Sequence, residues 1–194
     1  MLYKVLACDA TKDSRHILRT TSADVALIVN TSSGIRTLDD LLSRAKASPG
    51  KLYHASGGVG TPPHMGVELM LSETHARATH VPYKGASELV NAVLRNQVTF
   101  GMPILSMAHP QNVSGDLKAL AIAGSVCNPQ LRQVPTLAEL GLPGVELTSW
   151  GGDSVPSGTS DAIAVPIQSA FEQAVRSRRC PPRPTPAVFS TRSR

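Results

Sequence analysis

The residues best placed to do chemistry lie in one run, His54-Ala55-Ser56-Gly57-Gly58-Val59-Gly60-Thr61-Pro62-Pro63-His64. It reads as the end of a strand, a glycine loop and the start of a helix. The glycines permit positive φ and close approach by a ligand. Thr61 is a good N-cap, and Pro62 suits the first helical position. Free N–H groups and the helix dipole favour an anion there, by about 0.3–1 kcal/mol when exposed and up to ~2 when partly buried. In an open parallel sheet, ligands also sit at the C-terminal ends of strands. The candidate ligand-binding residues are therefore Ser56, Gly57, Gly58, Val59, Gly60 and Thr61. A plain βα turn closed by a capped helix accounts for the same residues, and the loop alone does not choose between the two.

Patterns for other chemistries are absent. There is no GxxxxGK, and Pro63 breaks the GxGxxG spacing after Gly58 and Gly60. Gly-x-Ser-x-Gly fails at Ser56 because His54 stands two residues before it. His54, His64, His75 and His80 fall in no HExxH or other metal spacing, so ordinary surface or core roles are expected. Cys8, Cys127 and Cys180 are far apart and odd in number, which argues against both a zinc site and a disulfide framework. No catalytic residue, metal or cofactor is assigned. In Val81-Pro82-Tyr83-Lys84-Gly85 a phenol and an ammonium could lie near an anion, although such a segment is commonly a strand exit with a snorkelling lysine.

Composition narrows the partners. The net charge is +5, but six of the 19 lysines and arginines lie in residues 176–194, which hold no acid. The rest of the chain carries the 14 acids and is nearly neutral, so the folded part lacks the basic surface of a nucleic-acid binder. Aromatic residues make up 4%, with one tryptophan, too few for a stacking platform. No apolar run approaches the ~18–20 residues of a membrane span. Val5-Leu6-Ala7-Cys8 has a faint likeness to a lipoprotein cleavage box, but no charged and apolar segment precedes it. With no export signal in the sequence as it stands, the expected location of this chain by itself is cytoplasmic.

The elements that must position the loop alternate. Val25–Val29 is a short apolar run expected as a buried strand. Thr37-Leu38-Asp39-Asp40 opens a helix with Leu38, Leu41, Leu42 and Ala45 at helical spacing, ended by Pro49-Gly50. Lys51–Ser56 is a strand. A helix follows over Pro62–Ser72, with Met65, Leu69 and Met70 as its apolar face. Thr79–Pro82 is a strand and Ala86–Arg95 a helix, while Val98–Met102 and Leu117–Ala123 are further strands. Thr136-Leu137-Ala138-Glu139 is a capping box before a very short helix closed by Gly141. Val145–Trp150 is the last strand, and residues 160–176 form a helix carrying Pro166 in its interior. This alternation predicts an α/β fold with a mainly parallel sheet flanked by helices. Residues 180–194, rich in Pro, Arg and Ser, are expected to be disordered.

Several segments, in shared order from Thr11 to Val175, resemble the Bug-type receptors of tripartite tricarboxylate transporters. They are Asn30-Thr31-Ser32-Ser33-Gly34-Ile35 with Thr37-Leu38-Asp39-Asp40-Leu41, Pro49-Gly50-Lys51-Leu52, and Ser56-Gly57-Gly58-Val59-Gly60-Thr61-Pro62-Pro63-His64. His80-Val81-Pro82-Tyr83-Lys84-Gly85, Leu117-Lys118-Ala119-Leu120-Ala121, and Val134-Pro135-Thr136 with Gly141-Leu142-Pro143-Gly144 complete the set. The resemblance implies one lobe of a two-lobed periplasmic (Venus-flytrap) binding protein, plus remnants of the other lobe. The implied ligand is a small carboxylate, a di- or tricarboxylate or an acidic amino acid. It implies no cofactor and no enzymatic activity. The partners it implies are membrane transporter components, with no direct membrane insertion. Residues Ser56–Thr61 match the family's second-lobe loop.

The implied organisation is residues 1–23 from the first lobe, 24–150 as the second ligand-binding lobe, 151–177 as the return to the first lobe, and 178–194 as a disordered basic tail. The sequence departs from the family in places. The first-lobe loop is missing, Gly152-Asp153-Ser154-Val155-Pro156 replaces the usual apolar run after the tryptophan, Thr99 stands where an acid is common, and the residues after Arg176 match nothing. An N-terminally truncated or degenerate product without binding activity is therefore the alternative expectation, and an enzyme using the glycine loop on an anionic substrate is a more distant one.

Overall fold

A computed structural model of the chain describes residue 9, residues 12–124 and residues 128–176. The three cysteines and the basic tail lie outside the described residues. The chain divides into two compact units, one of residues Ala23–Ser149 and one made by Met1–Ser22 with Trp150–Arg194.

The larger unit is built on a five-stranded sheet. Its strands are β2 (Ala26–Asn30), β3 (Tyr53–Ser56), β4 (Thr79–Pro82), β5 (Phe100–Gly101) and β6 (Leu117–Ile122), in the spatial order β4-β3-β5-β2-β6. β3 pairs in parallel with both β4 and β5, while β2 pairs antiparallel with β5 and β6. Four strands thus run one way and β2 alone runs against them. All five residues of β2 are buried. Leu27 and Val29 face one apolar cluster and Ala26 and Ile28 the other, because successive side chains leave a strand on opposite sides. A central strand covered on both faces reads in sequence as a continuous apolar run.

Helices α1 (Leu38–Ala47) and α2 (Pro62–Thr74) supply the first cluster through Leu38, Leu41, Ala45, Val67, Met70 and Leu71. Helices α3 (Ala86–Leu94) and α4 (Leu105–Ser114) supply the second through Leu89, Val90, Val93, Leu105 and Ala108. The Thr37 capping box forms as its residue types require. Thr37 Oγ1 accepts the Asp40 N–H at 3.1 Å, and the Asp40 carboxylate accepts the Thr37 N–H at 3.0 Å.

Several expectations change. The buried face of α2 is Pro63, Gly66, Val67, Met70, Leu71 and Thr74, whereas Met65 is exposed. Met70 lies on the buried face as expected and Leu69 packs partly buried against the first cluster, so only Met65 departs from the expected face. Helix α4 contains Pro110, and that residue hides the helix from a propensity reading. Thr136 and Glu139 make both capping-box bonds, at 2.8 and 3.1 Å, yet around them there is only a turn. Gly141, at φ +87°, ends the segment before a helix can extend.

In the smaller unit, β1 (Ser14–Asp24) pairs with β7 (Thr148–Pro156), and α5 (Asp161–Arg176) follows with Pro166 inside it. The last strand therefore begins at Thr148 and runs past Trp150, joining a two-stranded sheet instead of the main one. His16 Nδ1 lies 2.9 Å from Ser154 Oγ, and Arg15 is paired with Asp161. Among the described residues no helix is long and apolar enough to cross a membrane.

Candidate functional site: the glycine loop and its histidines

The predicted site residues lie together at the C-terminal end of β3, between that strand and α2. Gly58 and Gly60 take φ of +126° and +81°, which excludes most side chains. At Gly57 the constraint is contact instead of φ. A Cβ there would stand 3.3 Å from the Gly85 carbonyl carbon and 3.4 Å from the Ala86 nitrogen. The loop therefore packs its backbone directly against the start of α3. The Tyr83 N–H donates to the Ser56 carbonyl at 2.9 Å and continues the β3–β4 ladder into this corner.

The polar groups of the loop are committed differently from the sequence expectation. Thr61 occupies the N-cap position of α2, but its hydroxyl makes no cap bond and donates to the Gly58 carbonyl at 2.7 Å. Pro62 and Pro63 have no N–H, and the His64 N–H donates to the Thr61 carbonyl at 2.9 Å. The first turn of α2 thus has few donors to offer. Ser56 is fully buried, and its Oγ accepts the Gly58 N–H at 3.1 Å and lies 2.7 Å from His80 Nε2. The Gly60 N–H donates to His64 Nδ1 at 3.1 Å. Ser56 and Thr61 thus brace the loop with their hydroxyls, and that of Ser56 is buried.

Among the described residues, no acceptor is placed against the N–H groups of Gly57 and Val59, and Val59 is half exposed. The first-turn N–H groups of α3, which abuts Gly57, have no side-chain cap. Lys84 is exposed beside them, and its N–H donates to Glu88 Oε2 at 3.0 Å. What the geometry brings together is two successive loop–helix junctions, at Gly57 and at the start of α3.

Sequence reasoning gave the histidines no shared role, but the structure clusters them under the loop. His54 and His80 are register partners on parallel strands, with ring centroids 4.9 Å apart. The His64 ring, from the first turn of α2, lies 4.1 Å from His80 and 6.5 Å from His54. Glu68 Oε1, one turn further along α2, is 3.2 Å from His54 Nε2 and 3.8 Å from His64 Nε2. The His54–Glu68 approach lacks hydrogen-bonding geometry, so neither His54 ring nitrogen has a partner among the described residues. Burial, followed by the neighbouring His80 and His64, pushes the His54 pKa down to about 3. Burial and then His64 lower that of His80 as well. Both rings are kept neutral by their surroundings. Among the described residues, no group of three or more His, Cys, Asp or Glu side chains is arranged to hold a metal ion. The signal that could have exposed the cluster is the equal place of His54 and His80 in two strands that end at neighbouring loops, and it appears only once the strands are paired.

A concavity of about 550 Å³ lies elsewhere, lined by Gly50, Glu68, His75 and Arg77 among others. It opens towards the residues that precede β3 and β4, at the opposite strand ends from the glycine loop.

The geometry has clear counterparts among known proteins. Protein BugT of Bordetella pertussis is 30% identical over 154 residues, covering 79% of this chain and 47% of BugT. The structure of Rhodopseudomonas palustris Rpa4515 with adipate superposes with a TM-score of 0.85 at 26% identity, covering 92% of this chain and 60% of that one. MatC (Rpa3494) from Rhodopseudomonas palustris with bound malate superposes equally well, at 27% identity, over 91% of this chain and 60% of MatC. The chain spans about half the length of the curated relatives it matches. The superpositions show that these structures contain the α/β architecture found here, and the family they lead to is one of receptors, not enzymes. The profile of the tripartite tricarboxylate transporter family receptor matches residues 1–181, and the chain belongs to that family.

Proposed function

We propose that Ser56–Thr61 form one carboxylate-holding loop of an extracytoplasmic solute receptor, and that the loop acts with the start of α3. The observation that carries this reading is the contact of Gly57 with Gly85 and Ala86, which sets the Gly57 backbone beside an uncapped helix start, with the free Val59 N–H two residues further along the same loop. A carboxylate there meets several N–H donors and the positive end of a helix dipole. The adipate and malate bound in two structural neighbours are ligands of that chemistry. The proposed ligand class is a di- or tricarboxylate or an acidic amino acid, delivered in the periplasm to the membrane components of an uptake system.

Magnitudes set the expected affinity. The start of α3 contributes up to about 2 kcal/mol to holding an anion, and the Gly57 N–H, as a hydrogen bond to a charged group, about 2 more, so together they give about 4. That corresponds to a Kd of about 1 mM, and a micromolar receptor needs roughly 8 kcal/mol. The described loop by itself is therefore a weak anion site, and enclosure by further protein supplies the rest. NMR titration of the 194-residue chain with adipate, malate and adipamide tests the reading. Shifts centred on Gly57, Val59 and Ala86 that saturate in the millimolar range with the acids, and not with the diamide, are expected. Equal response to adipamide, or shifts confined to other residues, would overturn it. A Gly57→Val variant, whose side chain presses on the Gly85 backbone, is expected to lose the response.

A further inference from the structure

We propose that His64 is the positioning residue of the glycine loop, holding Gly60 as a neutral imidazole protonated on Nε2 and releasing the loop when Nδ1 takes a second proton. The proposal rests on the loop being a carboxylate site, and its geometry stands apart from any ligand. The Gly60 N–H donates to His64 Nδ1 at 3.1 Å, so Nδ1 must present its lone pair and the ring proton must sit on Nε2. Nε2 faces the Glu68 carboxylate at 3.8 Å, the partner that favours this tautomer. A second glycine amide is tied to an imidazole through one hydroxyl, as the Gly58 N–H donates to Ser56 Oγ, which lies 2.7 Å from His80 Nε2. The amide directions of Gly58 and Gly60, which flank Val59, thus depend on two mutually tilted rings with centroids 4.1 Å apart.

Protonating Nδ1 turns the acceptor into a donor, and an N–H then faces an N–H. Either the ring turns away or Gly60 does, and in both cases the bond that orients the loop is lost. The titratable groups facing His64 are Glu68 from its own helix, His54 from β3 and His80 from β4. The expected device is a loop whose order depends on the lone pair of His64 Nδ1 and is lost when that lone pair takes a proton.

The test uses the 194-residue chain with ¹⁵N-labelled glycine and histidine, from pH 7.5 to pH 5. At pH 7.5 the His64 Nδ1 resonance should be that of an unprotonated nitrogen. On acidification the Gly60 amide should shift with the same midpoint as Nδ1 and lose at least tenfold in exchange protection. In His64→Asn the side-chain oxygen takes the place of Nδ1 and cannot be protonated, so Gly60 should stay put across the range. His64→Leu should show the acid-state Gly60 shift at every pH. A protonated Nδ1 at pH 7.5, or a Gly60 amide that titrates as in the parent when residue 64 is Asn, would overturn the proposal. Malate titration at pH 7.5 and pH 6 adds the functional arm, and ligand protonation cancels when the two proteins are compared. The parent should weaken relative to His64→Asn on acidification, and a parent that strengthens relative to it refutes the release of the loop. Absence of binding by both proteins would count against the carboxylate reading, and the Gly60 data would still decide the role of His64.

Discussion

Replacing Gly60 by valine isolates the cost of the loop's backbone. Gly60 sits at φ +81°, in the left-handed region where an L side chain brings its Cβ too close to the following carbonyl. Any Cβ there costs about 1–2 kcal/mol, and a β-branched residue is a genuine outlier in that region. The chain can avoid part of the strain by giving up the Gly60–His64 hydrogen bond, itself worth about 1 kcal/mol. The total for valine is thus bounded near 2–3 kcal/mol. For a unit the size of Ala23–Ser149, each kcal/mol lowers Tm by about 3–6 °C, so a fall on the order of 10 °C is expected. Thermal unfolding followed by circular dichroism at pH 7.5 measures it. Asparagine tolerates the left-handed region, so the melting order should be parent, Gly60→Asn, Gly60→Ala, Gly60→Val. A valine variant melting within about 1 °C of the parent, or an asparagine variant as unstable as the valine one, would show that the conformation of Gly60 is not the constraint.

Removing the α1 cap with Thr37→Ala should cost about 1 kcal/mol, read as a lower urea midpoint, because Thr37 Oγ1 holds the Asp40 N–H. The Asp40 carboxyl is held below its usual range, chiefly because it accepts the Arg36 N–H. Its contribution is therefore present above the unfolded value near pH 4 and lost as pH falls through the lower folded value, so the midpoint gap between the parent and Asp40→Asn should close in strong acid. Buried His54 stays neutral down to about pH 3. The unfolded chain protonates this residue below about pH 6.5, so stability is full above that value and should fall by on the order of 2 kcal/mol by pH 5. His54→Leu should flatten that part of the urea-midpoint profile against pH, and an unchanged slope would rule out His54 as its source. Phe100, fully buried in the two-residue strand β5, should cost about 3–5 kcal/mol when replaced by alanine, as measured by chemical unfolding.

Much of the larger unit was legible from local rules. The apolar run at Val25–Val29 is expected as a buried strand, and β2, covered on both faces, occupies Ala26–Asn30. The helix opened by Thr37 and the strand at Thr79–Pro82 appear where capping and punctuation place them. The position of the glycine loop between a strand and a proline-started helix followed from residue types alone. Tertiary structure decided the rest, because it depends on which strands become neighbours. The sequence does not say that β2 runs against the other four strands, or that Thr148–Pro156 leaves the main sheet to pair with β1. Pairing β3 with β4 turns two unremarkable histidines into stacked partners, and packing α2 on that pair adds the third. The sequence put a serine and a threonine beside glycines among the candidate ligand-binding residues. The fold buries Ser56 against His80 and closes Thr61 onto Gly58, because buried polar groups must find partners and the nearest ones lie within the loop itself. The donors left over, at Gly57 and Val59, are backbone N–H groups that no side-chain pattern could reveal.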